Sequence, residues 1–414
     1  MTLSTCTQLP PRLEVPRHVL AGAGAAVAIL GFGGWLMSWN FTIGAFWLIG
    51  AAFGVILQRS RLCFAGAFRD LIMSGDGRLM RAILLGLAVS TIGFGLLMAR
   101  FVPDPSFGVL PPGAHIQPVG YATIVGGVLF GVGMVLAGGC VSGSLWRMGE
   151  GYLNSWVAMV GILAGLRFAA TTWDWWFDND ISRRDTTWLP GEIGMGWSIA
   201  LTLAVLAALY LAILWWESRS PSMPSMPAPP RPPALTFGDQ LRQRWDMVFG
   251  GHGWSYTSGA LALAVVAISG YALSVPLGVT GGLSSWIDRG VDLAGGSSQL
   301  PLKGSDRLAG CTPVTGDFVW WTVRSATMTG LVAGAFLAST LSGEFKLRWS
   351  RQWSRYPQLL AGGLLMGYAS VIAIGCTIGA FFSSIPSLAV AGWVFGLGLL
   401  GGAFIGVQIV RRLP

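Results

Sequence analysis

Three thiols stand where apolar runs of this chain break: Cys63, Cys140 and Cys376. Glycine flanks two of them closely, as Gly139-Cys140 with Gly143 and Gly375-Cys376 with Gly379. Glycine on both sides of a thiol lets the backbone leave a helix and approach a solute closely. A helix broken there starts again with unpaired N–H groups, which together with the helix dipole favour an anion. The thiol itself is a soft, polarizable, weak donor and acceptor, better matched to a sulfur-bearing solute than to a hard oxyanion. The combination reads as a binding station for a small sulfur anion inside an apolar setting. A small buried residue beside packing glycines would be the plain structural alternative for a single such cysteine.

Recurrence weighs against that alternative. Gly126, Gly127, Gly131, Gly139, Cys140 and Gly143 coincide with Gly362, Gly363, Gly367, Gly375, Cys376 and Gly379 at a constant offset of 236 residues. With one extra residue in the second copy the match runs on through Trp156/Trp393, Gly161/Gly398 and Gly165/Gly402. Each copy is an apolar helix ending at Gly-Cys, a glycine-containing break, and another apolar helix. Duplicated apolar units with a polar break at their middle are the layout of a transporter with internal repeats.

The third thiol lies in Gln58-Arg-Ser-Arg-Leu-Cys63-Phe, followed by the adjacent pair Arg69 and Asp70. Arg147 and Glu150, just after the Cys140 break, read as either a gate or an interfacial pair. Arg167 and Arg324 fall within or at the edge of apolar spans, where a charge marks function or simply snorkels to the interface. Ser142, Ser144, Thr377, Ser383 and Ser384 could bond a passing solute or their own helix. Cys6 and Cys311 occupy no repeat position and carry no expected role. There is no C-x-x-C, which argues against a zinc site or a dithiol redox motif; no metal and no cofactor is expected.

The elements that must position these residues are membrane helices. Hydrophobic residues make up 53% of the 414 and charged residues only 11%, against roughly a quarter charged in soluble domains. Mean hydropathy is +0.62. Sixty glycines suit close helix packing, and tryptophans cluster at the ends of apolar runs, where a membrane boundary would lie. Spans are expected at about 18–38, 41–57, 81–100, 119–139, 153–172, 195–216, 257–275, 321–341, 358–376 and 387–410. The fold class is therefore an all-α integral membrane protein, with about 9–10 membrane helices plus short re-entrant or broken helices in two inverted repeats. The 41–57 run is short for a span and could be re-entrant, and another short re-entrant piece is expected near Pro276–Trp286.

Arginine and lysine accumulate in the loops 58–81, 217–256 and 342–357 and in the Arg411-Arg412 tail, whereas 101–117 and 377–387 carry none and 173–193 is acid-rich. The positive-inside rule then places the N- and C-termini in the cytoplasm. The net charge of +8 follows this topology; no basic-aromatic platform for nucleic acid is present. Under this topology 119–139 and its copy 358–376 cross in opposite directions, so the repeats are inverted and their thiols should face one mid-membrane pathway. Three regions result: a first membrane repeat over 1–217; a cytoplasmic linker and amphipathic segment over 218–256, with seven prolines within 221–233; and a second repeat over 257–414 with an external loop at 276–320.

Gln58-Arg-Ser-Arg-Leu-Cys63-Phe with Ala67-Phe-Arg-Asp70, Ala137-Gly-Gly-Cys140 with Gly143, and Gly375-Cys376 with Gly379-Ala-Phe-Phe resemble the three cysteine motifs of the YeeE/YedE family of bacterial inner-membrane proteins. The resemblance spans roughly the whole chain. It implies a helical fold of pseudo-two-fold repeats pinched at the centre from both sides, and uptake of thiosulfate handed along Cys63, Cys140 and Cys376 through S–H···S hydrogen bonds. The longer linker and the 276–320 loop are similar to a branch proposed to handle selenium compounds, so sulfite or selenite is the alternative solute. No Cys-Pro-x-Pro sulfur-carrier domain is present, so a cytoplasmic sulfur acceptor would be a separate protein. The expected activity is transport rather than catalysis; a membrane thiol oxidoreductase, which would need paired cysteines, is the reading from another class.

Overall fold

In the computed structural model the described residues are 17–219, 253–308, 320–350 and 352–412. Cys6, Cys311 and the proline-rich 221–233 stretch lie outside them. The described residues form α1 (Arg17–Trp39), α2 (Phe41–Ser60), α3 (Phe64–Met73), α4 (Arg78–Phe101), α5 (Tyr121–Leu136), α6 (Val141–Glu150), α7 (Leu153–Asn179), α8 (Leu189–Ile193) and α9 (Met195–Arg219). After the linker come α10 (Tyr256–Leu273), α11 (Thr280–Leu293), α12 (Val323–Leu341), α13 (Arg355–Ile372), a π-helical segment (Thr377–Ser383) and α14 (Val390–Arg412). Eight helical runs among the described residues are long and apolar enough to cross a membrane, or nine with α13 and the π-helix, which meet at a 50° bend. α12, 19 residues long and richer in Ser and Thr, is packed against α1, α2 and α6.

Glycine seams hold the helices together. Gly127 and Gly131 of α5 face Gly398 and Gly402 of α14, and a methyl added at Gly131 would meet the Leu399 carbonyl oxygen at 2.6 Å. The repeat-related residues do the same elsewhere: Gly161 of α7 faces Gly363 of α13, and Gly165 and Gly367 press on the facing backbone. A second pair of seams joins α2 to α12 through Gly50, Gly54, Gly330 and Gly334, and α4 to α10 through Gly86 and Gly93. With no side chain in the way, backbones approach closely and van der Waals packing replaces the hydrophobic drive that lipid cannot supply.

These contacts establish the inversion. α5 and its sequence copy α13 cross with Gly126 against Ala369 and Gly133 against Gly362, numbers rising on one helix as they fall on the other. The two contacts are equivalent under the 236-residue offset, as a two-fold axis through the crossing requires. α5 with α14 and α7 with α13 instead run parallel, again as equivalent pairs.

The 41–57 run extends to Ser60, giving a 20-residue helix of ordinary spanning length rather than a re-entrant piece. Asn40 caps its start by accepting from the Ile43 N–H at 3.2 Å. The short piece expected near Pro276–Trp286 is α11, whose first turn is buried. Carboxylates serve helix starts that have no side-chain cap of their own. Asp180 accepts from the Ala122 N–H at 2.7 Å at the head of α5, and Glu217 from the Gly77 N–H at 2.8 Å at the head of α4, where it also pairs with Arg81 at 3.0 Å. Negative charge there offsets the helix dipole.

Candidate functional site

Four helix breaks, at 61–63, 137–140, 274–279 and 373–376, are linked through neighbouring residues: Gly143 lies beside Cys140 and Cys63, Phe64 packs on Phe382, and Ser383 bonds the Leu277 carbonyl. The three thiols share one local geometry. Cys63, Cys140 and Cys376 are the N-caps of α3, α6 and the π-helix, each in extended backbone. Two residues before each thiol the chain takes a left-handed turn, at Arg61 (φ 51°), Gly138 (φ 70°) and Ile374 (φ 53°). Gly138 and Ile374 are repeat-equivalent. A β-branched side chain at positive φ is an outlier that costs energy and persists only where the surroundings enforce it. All three thiols are buried, each at the start of a helix whose first N–H groups lack intrahelical partners.

Cys140 and Cys63 face the same gap. A methyl added to Gly143 would meet Cys140 Sγ at 3.4 Å and Cys63 Sγ at 3.7 Å. Cys140 Sγ accepts from the Gly143 N–H at 3.4 Å and lies 3.3 Å from the Ser142 hydroxyl. Gly139 is constrained from the other side, since a methyl there would come within 3.2 Å of Arg147 Nη1. Gly379 lies in the π-helix, its carbonyl accepting from the Ser384 N–H at 3.0 Å. Phe64 stacks edge-on with Phe382 and Phe381 at centroid distances of 5.7 and 6.5 Å, walling the space between α3 and the π-helix.

Arg147 closes the side of this gap that faces the arginine-rich end. Its guanidinium donates to the Gly138 carbonyl, lies 3.8 Å from Cys63 Sγ and covers the Trp146 ring at 5.3 Å. Glu150 is not its partner: Glu150 pairs with Arg348 at 3.3 Å, so the two residues read together in the sequence act separately. Beyond Arg147 opens a cavity of about 1280 Å³ lined by Arg61, Arg69, Asp70, Arg147, Glu150 and Arg355. Arg69 and Asp70 pair with each other at 2.8 Å on its wall. Next to it Glu344 accepts from Gln58 at 2.7 Å and pairs with Arg61 at 3.2 Å and with the buried Arg59 at 3.7 Å.

Of the expected hydroxyls, Ser142 reaches Cys140, Ser383 donates to the Leu277 carbonyl at 3.0 Å, Thr377 is buried at the start of the π-helix, and Ser384 keeps a buried oxygen without a partner. Ser144 is buried in the first turn of α6. Arg167 ties down the far loop, donating to the Ser297 carbonyl at 2.7 Å. The sequence reading missed His115, Gln117 and Thr280, buried polar side chains with unpartnered atoms. His115 Nε2 lies 3.1 Å from where a Gly375 methyl would stand. Burial and the nearby positive Arg324 push the His115 imidazolium down to about 3, so the ring is neutral at physiological pH. A histidine between prolines in a charge-poor loop gave no periodic signal; only its unusual place among apolar neighbours could have drawn notice. Among the described residues no cluster of His, Cys, Asp and Glu could hold a metal ion.

Residues 59–405 match a family model described as "Sulphur transport". The chain is 31% identical over 390 residues to the thiosulfate transporter TsuA of Spirochaeta thermophila, covering 88% of this chain and 98% of that one. It is 26% identical over 368 residues to TsuA of Escherichia coli, covering 89% and 94%. A further relative, the probable transporter YedE of Salmonella typhimurium, is 34% identical over 177 residues, 43% of this chain and 42% of its own.

Proposed function

The chain belongs to the sulphur transport family of YeeE/YedE membrane proteins, and from that premise we propose that it takes up thiosulfate across the bacterial inner membrane along Cys376, Cys140 and Cys63. Its family and its apolar helices make it a multi-pass membrane transporter of a sulfur compound, not an enzyme. The observation that carries the finer reading is the shared gap at Gly143, bordered by two thiol sulfurs that sit at the heads of two broken helices.

A divalent anion entering the protein loses its hydration shell. Unpaired N–H groups at helix heads replace part of that hydration without placing a fixed cation in the path. Neutral thiols add weak S–H···S contacts to the terminal sulfur. Several weak sites suit conduction better than one strong one, because a solute must leave each station as readily as it arrives. In this reading Arg147 is the first guanidinium met beyond Cys63, drawing the anion toward the cavity at the arginine-rich end. The positive-inside rule makes that end cytoplasmic, with both termini inside. The cavity would then be where a separate sulfur-carrier protein collects the solute. The division into repeats over 1–217 and 257–414 joined by a cytoplasmic 218–256 linker belongs to the same proposal.

The test is growth of a bacterium lacking thiosulfate uptake, with thiosulfate as sole sulfur source. The wild-type chain should restore growth, and Cys140→Ala and Cys376→Ala, inserted at equal levels, should restore it measurably more slowly. A correctly inserted wild-type chain that fails to restore growth would remove thiosulfate as the solute and move sulfite or selenite ahead.

A further inference from the structure

Three of the four breaks carry a thiol; the fourth, 274–279, carries none. In the inverted arrangement α2, α3 and α4 correspond to α10, α11 and α12, since the α2–α12 seam has the α10–α4 seam as its counterpart. Val279 is the N-cap of α11 as Cys63 is of α3, and Thr280 is the first residue of the helix. Cys63 faces the 137–140 break of the first repeat. The two-fold relation therefore sets the head of α11 against the 373–376 break of the second. Direct contacts agree. Ser383 donates to the Leu277 carbonyl at 3.0 Å, and the His115 N–H donates to the Ser387 hydroxyl at 3.2 Å. These bonds fasten the 274–279 stretch and the His115 loop to the segment that begins at Cys376.

Two polar side chains bear on this place: His115 Nε2 lies 3.1 Å from where a Gly375 methyl would stand, and Thr280 heads α11. Thr280 Oγ1 and His115 Nε2 are buried and have no partner, on residues that are each 2% exposed. A buried hydroxyl or imidazole nitrogen left unbonded costs free energy unless something completes it. The 14-residue α11 has no side-chain cap, so its first N–H groups are open to an acceptor. All of these are hard, oxygen-seeking groups, in contrast to the thiols.

We propose that the fourth break is an oxyanion station, in which the Thr280 hydroxyl, the N–H groups at the head of α11 and neutral His115 in its Nε2–H tautomer donate to the oxygen-bearing end of the solute beside Cys376. The inference rests on the transport reading for its direction of travel, though not for the binding itself. It makes the site selective for a solute with a sulfonate-like end and a terminal sulfur, because an all-sulfur anion would leave the hard donors unsatisfied.

Thermal stabilisation of the purified full chain by sodium thiosulfate and by sodium sulfate, which shares the oxygen end and lacks the terminal sulfur, tests it. Wild type should respond to both. Thr280→Val, which keeps the shape and removes the hydroxyl, should need about tenfold more of either anion, and His115→Gln should shift in the same direction. Thr280→Ser should stay within about twofold of wild type, while Cys376→Ala should weaken thiosulfate alone. Unchanged responses in Thr280→Val and His115→Gln, or no response of the wild type to either anion, would overturn the station. The expected binding pattern in a chain that carries no thiosulfate into vesicles would uphold the station and remove the transport reading.

Discussion

A single methyl at Gly143 should separate the pathway from the fold. Gly143 is the third residue of α6, its φ is ordinary, and its N–H bonds to Cys140 Sγ. An alanine there would meet no backbone within 4 Å, only the two sulfurs at 3.4 and 3.7 Å. Both are ordinary van der Waals distances, so the protein need not shift. Alanine also favours a helix over glycine by about 0.5–1 kcal/mol. Gly143→Ala should therefore keep or slightly raise thermal stability. The methyl, however, occupies the space between two successive thiols. Forcing a solute past one extra methyl in a packed interior costs about 1–3 kcal/mol, which is roughly a five- to 150-fold slower step. Radiolabelled thiosulfate uptake into vesicles, beside a melting curve of the same preparation, measures both. Uptake within twofold of wild type would show that nothing passes between Cys140 and Cys63; a large loss of stability would show that the gap is structural.

Other expectations follow from the same geometry. Gly138→Ala, at φ 70° with no atom within 4 Å of the new methyl, should lower stability by about 1–2 kcal/mol through backbone strain alone, read from the melting temperature. Gly131→Ala should destabilise far more than Gly401→Ala, because the first methyl meets the Leu399 carbonyl at 2.6 Å and the second meets nothing; recovery of folded protein in detergent separates them. His115, held neutral with its imidazolium at about 3, makes the unfolded state the better proton binder between pH 3 and the ordinary histidine value near 6.5. Stability is thus full above that value and falls as pH drops, by about 2 kcal/mol from pH 8 to pH 5. His115→Gln should flatten that part of the pH–melting curve.

Much of the fold was legible because apolarity and glycine spacing report on burial directly. The Gly126–Gly165 and Gly362–Gly402 match revealed the repeat, and the contacts of Gly126, Gly133, Gly362 and Ala369 confirm its inversion. The three thiols were legible for the same reason, as breaks in apolar runs. The turns that precede them were not. Gly138 advertises a left-handed residue, but Arg61 and Ile374 adopt the same conformation with side chains that locally disfavour it, so only tertiary packing can impose it. The 41–57 run looked short because Gln58, Arg59 and Ser60 are polar, yet all three are buried in helix α2, where Gln58 and Arg59 meet Glu344. The Arg147–Glu150 spacing suggested a pair on one helix face; the pull of Arg348 on Glu150, from nearly 200 residues away in sequence, cannot be seen in a local pattern. The head of α11 was hidden because its polar atoms matter through the two-fold axis, not through their neighbours.

The central claim is that three thiols at three helix heads form one route for thiosulfate. Initial rates of radiolabelled thiosulfate uptake into liposomes containing the purified full chain test it most directly, with Cys63→Ser, Cys140→Ser, Cys376→Ser and the double variant Cys6→Ser/Cys311→Ser compared at equal reconstituted protein. Each of the first three should slow uptake at least several-fold, as loss of a contact of about 1 kcal/mol requires, and the double variant should match wild type. Wild-type rates in any of the three repeat-break variants, or a collapse in the Cys6/Cys311 variant, would contradict it.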